Sequence, residues 1–194
     1  MKFSFKIQQY QTDAVNAVVD VFKGQVRPAQ DTSYLFDWGI VAPTKQGKEI
    51  NYNLFQQELD EQEAKQDIIL GYANAPIKVD KVQLLENIKR IQGNNNITPS
   101  KELIEGQGKC SLDIEMETGT GKTYVYIKTM FELNKQYGWN KFIIIVPSVA
   151  IREGVKKSLQ TMEEHFMSQY GKKARYFIYD SNNLTKINDF ALSN

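Results

Sequence analysis

Met-Glu-Thr-Gly-Thr-Gly-Lys-Thr, residues 116–123, is the most informative stretch of this 194-residue chain. Its second half, Gly-Thr-Gly-Lys-Thr, has the pattern of a phosphate-binding loop (P-loop, or Walker A). Gly119 and Gly121 allow a tight backbone path whose N–H groups point at phosphate. Lys122 would bring a positive charge to the β- and γ-phosphates, and the Thr123 hydroxyl would complete the coordination of Mg²⁺. We therefore expect ATP and Mg²⁺ as cofactors, with nucleotide contacts from the loop residues Thr118, Gly119, Thr120, Gly121, Lys122 and Thr123.

The segments on either side of this loop have the order that such a loop requires. Alternating apolar and polar side chains over 110–116 predict a strand before it. Apolar residues at helical spacing after it predict a helix that ends at Gly138. Met116 stands where the strict pattern has a glycine, but that position does not touch phosphate. The structural alternative is a Gly/Thr-rich turn with a chance lysine, and the two flanks favour the phosphate loop over it.

The composition is that of an ordinary globular protein, with 41% hydrophobic and 24% charged residues. The net charge of +1 gives no overall basic field, so nucleic-acid binding would need a local patch. The single cysteine, Cys110, excludes an internal disulfide and favours a reducing compartment. No apolar run approaches the roughly 20 residues of a membrane span, so we expect no membrane contact and a cytoplasmic location. His165 is interpreted as a surface or edge residue of a helix.

Residues 1–24 read as a short strand-like segment and an amphipathic helix, which together form one part of the predicted nucleotide-binding domain. The helix is indicated by four apolar residues at helical spacing, Val15, Val18, Val19 and Phe22. Tyr10 and Gln11 lie at its beginning. A glutamine amide offers both a donor and an acceptor, which suits an adenine edge. A plain surface glutamine is the alternative, and the nearby phosphate loop favours the adenine-binding interpretation of Gln11.

Residues 25–108 differ in character, and we interpret them as an inserted, mostly helical region of unknown role. Residues 31–47 are rich in turn formers and aromatics, and 53–65 suggest a solvated helix. Asp80-Lys-Val-Gln83 has the form of a capping box and predicts the start of a further helix.

Residues 109–194 contain the loop and a second alternation of strand and helix. The apolar run 142–146 predicts a strand buried on both faces, and 175–179 predicts another. Between them, five apolar residues mark one face of a helix: Ile151, Val155, Leu159, Met162 and Phe166. A short helix is predicted over 184–190. Alternating strands and helices predict an α/β fold with a mainly parallel sheet.

This order of motifs resembles the first motor domain of superfamily-two helicases and translocases, a RecA-like P-loop NTPase domain. Gln11 matches the adenine motif of that family, and residues 116–123 match its first motif. Residues 143–148 match its motif Ia, which implies that Pro147 and Ser148 lie against the DNA backbone. More closely, residues 115–126 and 146–154 resemble the restriction (Res) subunit of type III restriction-modification enzymes.

The resemblance implies an N-terminal portion of an ATP-driven DNA translocase and endonuclease. Its implied partners are double-stranded DNA and the modification (methyltransferase) subunit of the same system. The acidic Mg²⁺ box, the second motor domain and the nuclease are expected beyond Asn194, so no catalytic residue is assigned here and the chain alone is expected to be inactive. Two alternatives remain: a P-loop ATPase or kinase of another class, and a non-catalytic nucleotide-binding module.

Overall fold

A computed structural model describes residues 5–28, 36–37, 71–106, 110–179 and 185–192. Its elements, in chain order, are α1 (Gln9–Val21), β1 (Phe36–Asp37), β2 (Gly71–Tyr72), α2 (Lys81–Asn94), α3 (Lys122–Tyr137), α4 (Val149–Tyr170) and α5 (Thr185–Leu192). The chain divides into two compact units. The first unit combines Met1–Thr32 with Asn74–Tyr176, and the second combines Ser33–Ala73 with Phe177–Asn194.

The predicted α/β fold, a RecA-like domain with a mainly parallel sheet, is wrong for the described part of the chain. That part is mainly helical. Its one strand ladder is antiparallel and two residues long, with β1 paired to β2 through Phe36↔Tyr72 and Asp37↔Gly71. Among the residues that the structure describes, the three predicted strands over 110–116, 142–146 and 175–179 have no strand pairing.

The segment 110–116 shows why periodicity misled. Cys110, Leu112 and Met116 do pack against the core, and the polar residues between them are exposed. Three of the four apolar residues of the alternation therefore contact the core, whereas Ile114 is 49% exposed. A ladder also needs a neighbouring chain at hydrogen-bonding distance. The described contact here is a single backbone bond, from Ser111 N–H to the Ile104 carbonyl (2.7 Å).

The run 142–146 likewise has no strand pairing within the described part of the chain. The chain just before it is held by side chains instead. Asn74 accepts hydrogen bonds at Oδ1 from the Asn140 and Lys141 N–H groups (2.9 and 3.0 Å), and its Nδ2 donates to the Lys141 carbonyl (2.7 Å). Burial on both faces was predicted, but Ile143 is 80% exposed and Ile145 is 90% exposed.

The helices follow the sequence closely. Asp80 begins α2 by accepting a hydrogen bond at its side chain from the Gln83 N–H (2.9 Å), which confirms the predicted N-terminal cap. Gly138 ends α3 in the left-handed conformation, with φ of 77°, which confirms the predicted stop. The helix predicted around residues 151–166 is α4, and the one predicted over 184–190 is α5.

A first core lies among α1, α2 and α3. Its buried members come from these helices, from the residues that directly follow α1 and α3, and from the segment just before α2: Val15, Val19, Val21, Phe22, Val79, Leu84, Val125, Tyr137 and Trp139. A second core joins α3 to α4 through Tyr124, Ile127, Met162 and Phe166. Helix α3 is therefore buried on two faces and forms the centre of the first unit.

The second unit contains β1, β2 and α5. Phe177 meets Phe190 of α5 edge to face, with ring centres 6.1 Å apart. The predictions for 53–65, and those for 31–47 apart from β1, lie outside the described residues. Among the helices of the described ranges, none is both long and apolar enough to cross a membrane.

Asn87 of α2 holds the C-terminal end of α1. It is buried, and its Nδ2 donates to the Val21 carbonyl (2.9 Å) and the Lys23 carbonyl (3.0 Å). Asn87→Ala should lower the free energy of unfolding by about 1–3 kcal/mol, because two carbonyls lose their donor. Urea unfolding measures this, with Asn16→Ala on exposed helix surface as the control. Equal midpoints for the two variants would contradict the assignment.

Candidate nucleotide-binding site

The predicted phosphate loop is a tight turn that leads directly into α3. Thr120 closes the turn by donating to the Glu117 carbonyl from its backbone N–H (3.4 Å) and from Oγ1 (2.6 Å). Gly119 and Gly121 both have left-handed backbones, with φ of 83° and 88°. An L-residue adopts this region at a cost, so both glycines are needed for the path of the loop.

The start of α3 is open to an anion. Gly121 is its N-cap residue and has no side chain, so no side-chain hydrogen bond caps the helix. The first N–H groups of a helix have no intrahelical partner, and the helix dipole adds partial positive charge there. Lys122 is exposed at this end and Thr123 is half-buried beside it. These features suit a phosphate group.

Two side chains from the start of α1 converge on the loop. Gln11 Nε2 donates to the Thr120 carbonyl (2.9 Å), and the Tyr10 hydroxyl donates to the same carbonyl (3.2 Å). A Cβ placed on Gly121 would lie 2.5 Å from Gln11 Nε2. The structure therefore brings both residues of the Tyr10-Gln11 pair, which the sequence analysis had singled out, into contact with the loop.

After its bond to Thr120, the Gln11 amide keeps one N–H donor and its Oε1 acceptor. A donor beside an acceptor is the pattern that complements an adenine edge. This arrangement is compatible with the predicted adenine contact of Gln11. Its hydrogen bond to the Thr120 carbonyl also gives Gln11 a structural role in the loop.

Pro147 and Ser148 lie at the start of α4, and both are exposed. Ser148 is the N-cap residue: its Oγ accepts from the Ile151 N–H (3.3 Å) and its carbonyl accepts from the Arg152 N–H (3.0 Å). These bonds are local to α4 and do not link Ser148 to the phosphate loop.

Two further residues near the loop, Lys128 and Tyr124, were not assigned a role from the sequence, and they lie with His165, which was interpreted as a surface or edge residue. Lys128 of α3 is buried, with Nζ 3.5 Å from Thr12 Oγ1 and 5.9 Å from the centre of the Tyr124 ring. The Tyr124 hydroxyl lies 3.2 Å from Nε2 of His165, which is half-buried. Burial, and then the charge of Lys128, lower the pKa of His165. One indication of this cluster was present in the sequence: Lys128 lies at helical spacing among the residues on the buried side of α3.

The candidate metal ligand in the loop is the Thr123 hydroxyl. Over the described ranges, no three or more His, Cys, Asp or Glu side chains gather as a metal site. Cys110 behaves as a small apolar residue, and burial raises the pKa of its thiol.

Comparison with known proteins places the chain in a family. The family described as "Type III restriction enzyme, res subunit" matches residues 4–189. The chain belongs to this family. The Res subunit of the type III restriction-modification enzyme EcoP15I from Escherichia coli is 43% identical over 111 residues, which are 56% of this chain and 11% of that protein. The EcoPI Res subunit from Escherichia phage P1 is 37% identical over 139 residues, 71% of this chain and 14% of that protein.

A third Res subunit, StyLTI from Salmonella typhimurium, is 45% identical over 64 residues, which are 32% of this chain and 6% of the relative. In each comparison the match covers a small part of the relative's own length. The family relationship confirms the resemblance that the loop and the segment around residue 148 had indicated.

Alanine substitutions at the two glycines of the loop should lower the free energy of unfolding by different amounts, and this can be tested. Gly119→Ala should cost about 1–2 kcal/mol of unfolding free energy for its backbone conformation alone, since nothing lies within 4 Å of its Cβ position. Gly121→Ala should cost about 0.5–1.5 kcal/mol more, because Gln11 must move and lose its hydrogen bond.

Urea unfolding of both variants, alone and combined with Gln11→Ala, measures the difference. Without the Gln11 amide, the two alanine variants should become similar. The same cost for both variants in the wild-type background would show that Gln11 does not constrain Gly121.

Proposed function

We propose that this chain is the ATP-binding N-terminal portion of a DNA-dependent ATPase and translocase, the restriction subunit of a type III endonuclease. The full enzyme would cleave DNA after ATP-driven movement. The observation that carries the proposal is the left-handed glycine loop before an uncapped α3, with exposed Lys122 and with Gln11 bonded to the Thr120 carbonyl.

In this proposal Lys122 and the first N–H groups of α3 bind the phosphates, and Thr118 to Thr120 line the loop. Gln11 reads the adenine with its remaining donor and acceptor. Thr123 supplies a hydroxyl to Mg²⁺, which would neutralise phosphate charge when bound. Hydrolysis also needs carboxylates and an arginine, and no catalytic residue is assigned within this chain.

The proposed DNA contact is the start of α4. Ser148 accepts a hydrogen bond from Ile151, so its own hydroxyl hydrogen can still donate to a phosphate oxygen. The first-turn N–H groups of α4 and the helix dipole would assist. Such contacts fix position on DNA and carry little sequence information. The cationic side chains nearby are less available, because Glu153 pairs with Arg152 (3.3 Å) and with Lys156 (4.0 Å).

The proposed partners are double-stranded DNA and the modification (methyltransferase) subunit, since the relatives are Res subunits of restriction-modification enzymes. The proposed location is the cytoplasm. We also propose the division into 1–24 and 109–194 as parts of the motor domain, with 25–108 as an insertion. Helix α2 of that insertion supports α1 through Asn87.

Lys122→Ala in the full-length protein should reduce ATP affinity by about tenfold or more, because the charge that faces the phosphates is lost. The fold should persist, since the Lys122 side chain is exposed. Isothermal titration calorimetry with ATP and Mg²⁺ measures the affinity. Lys135→Ala is the control, because it removes the same charge from the far end of α3. Equal ATP affinity in Lys122→Ala and wild type would refute the loop assignment and favour a non-catalytic module.

Ser148→Asp tests the DNA contact while keeping the helix cap, because Asp is also a good N-cap residue. Its negative charge should repel phosphate, so the DNA concentration that half-stimulates ATP hydrolysis should rise by about tenfold. ATP affinity should stay near wild type. Ser148→Asn is the matched control, since it has a similar shape and cap without the charge. Unchanged stimulation in Ser148→Asp would leave a P-loop ATPase or kinase of another class as the better interpretation.

A further inference from the structure

Helices α3 and α4 are joined by a stack of four aromatic rings that come alternately from the two helices. In order, the rings belong to Tyr124, Phe166, Phe131 and Tyr170, with centre-to-centre distances of 5.5, 4.9 and 5.0 Å. Neighbouring planes are inclined by 23°, 19° and 19°. The two inner rings, Phe166 and Phe131, each lie between two rings of the other helix, so the stack resists rotation and sliding of the two helices.

A polar contact closes each end of this stack. At one end the Tyr124 hydroxyl meets His165 Nε2 at 3.2 Å. At the other end the Tyr170 hydroxyl donates to Glu132 Oε1 at 2.7 Å. At the first end, Tyr124 lies two residues after Lys122. At the other end, Glu132 lies ten residues after Lys122, which is about 15 Å along the helix. The Tyr124 end is therefore the one next to the phosphate loop.

The surroundings of His165 hold that contact in place. The Phe5 ring lies 4.9 Å from the imidazole and the Phe166 ring lies 5.3 Å from it. Lys128 extends beneath the Tyr124 ring toward Thr12 of α1. Tyr124 is thus fixed on several sides, within a cluster that includes residues of α1, α3 and α4.

We propose that Tyr124 and His165 are positioning residues that couple the nucleotide site to the DNA contact. Beside the ring stack, their hydrogen bond adds a polar constraint on the rotation of α4 at the end of the stack next to Lys122. Helix α4 is continuous from Val149 to Tyr170, so its rotation at His165 sets the direction in which Ser148 and the first N–H groups face. This inference rests on the proposed function.

The coupling can be measured in the full-length protein as the factor by which a non-hydrolysable ATP analogue changes the affinity for a DNA duplex. Tyr124→Phe keeps the ring stack and removes the hydroxyl alone. It should bring this factor about threefold to tenfold closer to one. Affinity for the analogue without DNA should stay within about twofold of wild type, because the loop is untouched.

Variants of His165 test the bond from the other side. His165→Leu should reduce the coupling factor as Tyr124→Phe does, and the double variant should be no lower than either single variant. His165→Gln should restore most of the coupling, since a glutamine amide can reach the Tyr124 hydroxyl as Nε2 does. A general loss of packing would not be rescued in this way.

Tyr170→Phe is the matched control, because it removes one hydroxyl bond from the same interface at the end far from the loop. It should leave the coupling factor unchanged. An equal loss in Tyr170→Phe, or full coupling in Tyr124→Phe, would overturn the proposal while the proposed function stands. Absence of ATP binding in the wild-type protein would instead remove the proposed function, and this inference with it.

Discussion

The burial of α3 on two faces is the constraint on which the rest of the site depends. Val125 packs into the core with α1, while its neighbour Tyr124 and then Ile127 pack into the core with α4. Adjacent residues thus point to different helices, and this fixes the rotation of α3. Each buried apolar side chain contributes about 1.5–3 kcal/mol. The direction of Lys122 and Thr123 is consequently set by core packing, before any ligand is considered.

The loop adds a second constraint, in which one residue serves two purposes. Gly121 allows the left-handed turn into α3, and its missing side chain also leaves room for the Gln11 amide. Gln11 and Tyr10 both donate to the Thr120 carbonyl, which holds the turn between the two glycines. The start of α1 and the start of α3 therefore form one structural unit. A residue proposed to read the base is at the same time one that shapes the phosphate loop.

The helices, their caps and the loop could be predicted from the sequence because their causes are local. Asp80 meets a partner three residues away, and Gly138 ends α3 where the apolar spacing stops. Strand pairing could not be predicted in this way, since a strand needs a neighbouring segment to pair with and the periodicity of the sequence does not reveal that segment. Near the run 142–146, the Asn74 side chain takes the place of ladder bonds. The contacts of Tyr124 with His165 were also hidden, because the two residues are 41 positions apart.

The two helix starts differ in a way that bears on what each can bind. Helix α3 begins with Gly121, lacks a side-chain cap and has an exposed lysine, so its donors and its charge are directed to the same place. Helix α4 begins with a capping serine, and Glu153 forms exposed ion pairs with Arg152 and Lys156 in its first turns. The first arrangement suits a compact anion of several charges, such as a triphosphate. The second leaves a weaker donor group that suits one phosphate of a longer backbone, and the proposed division between ATP and DNA follows from this difference.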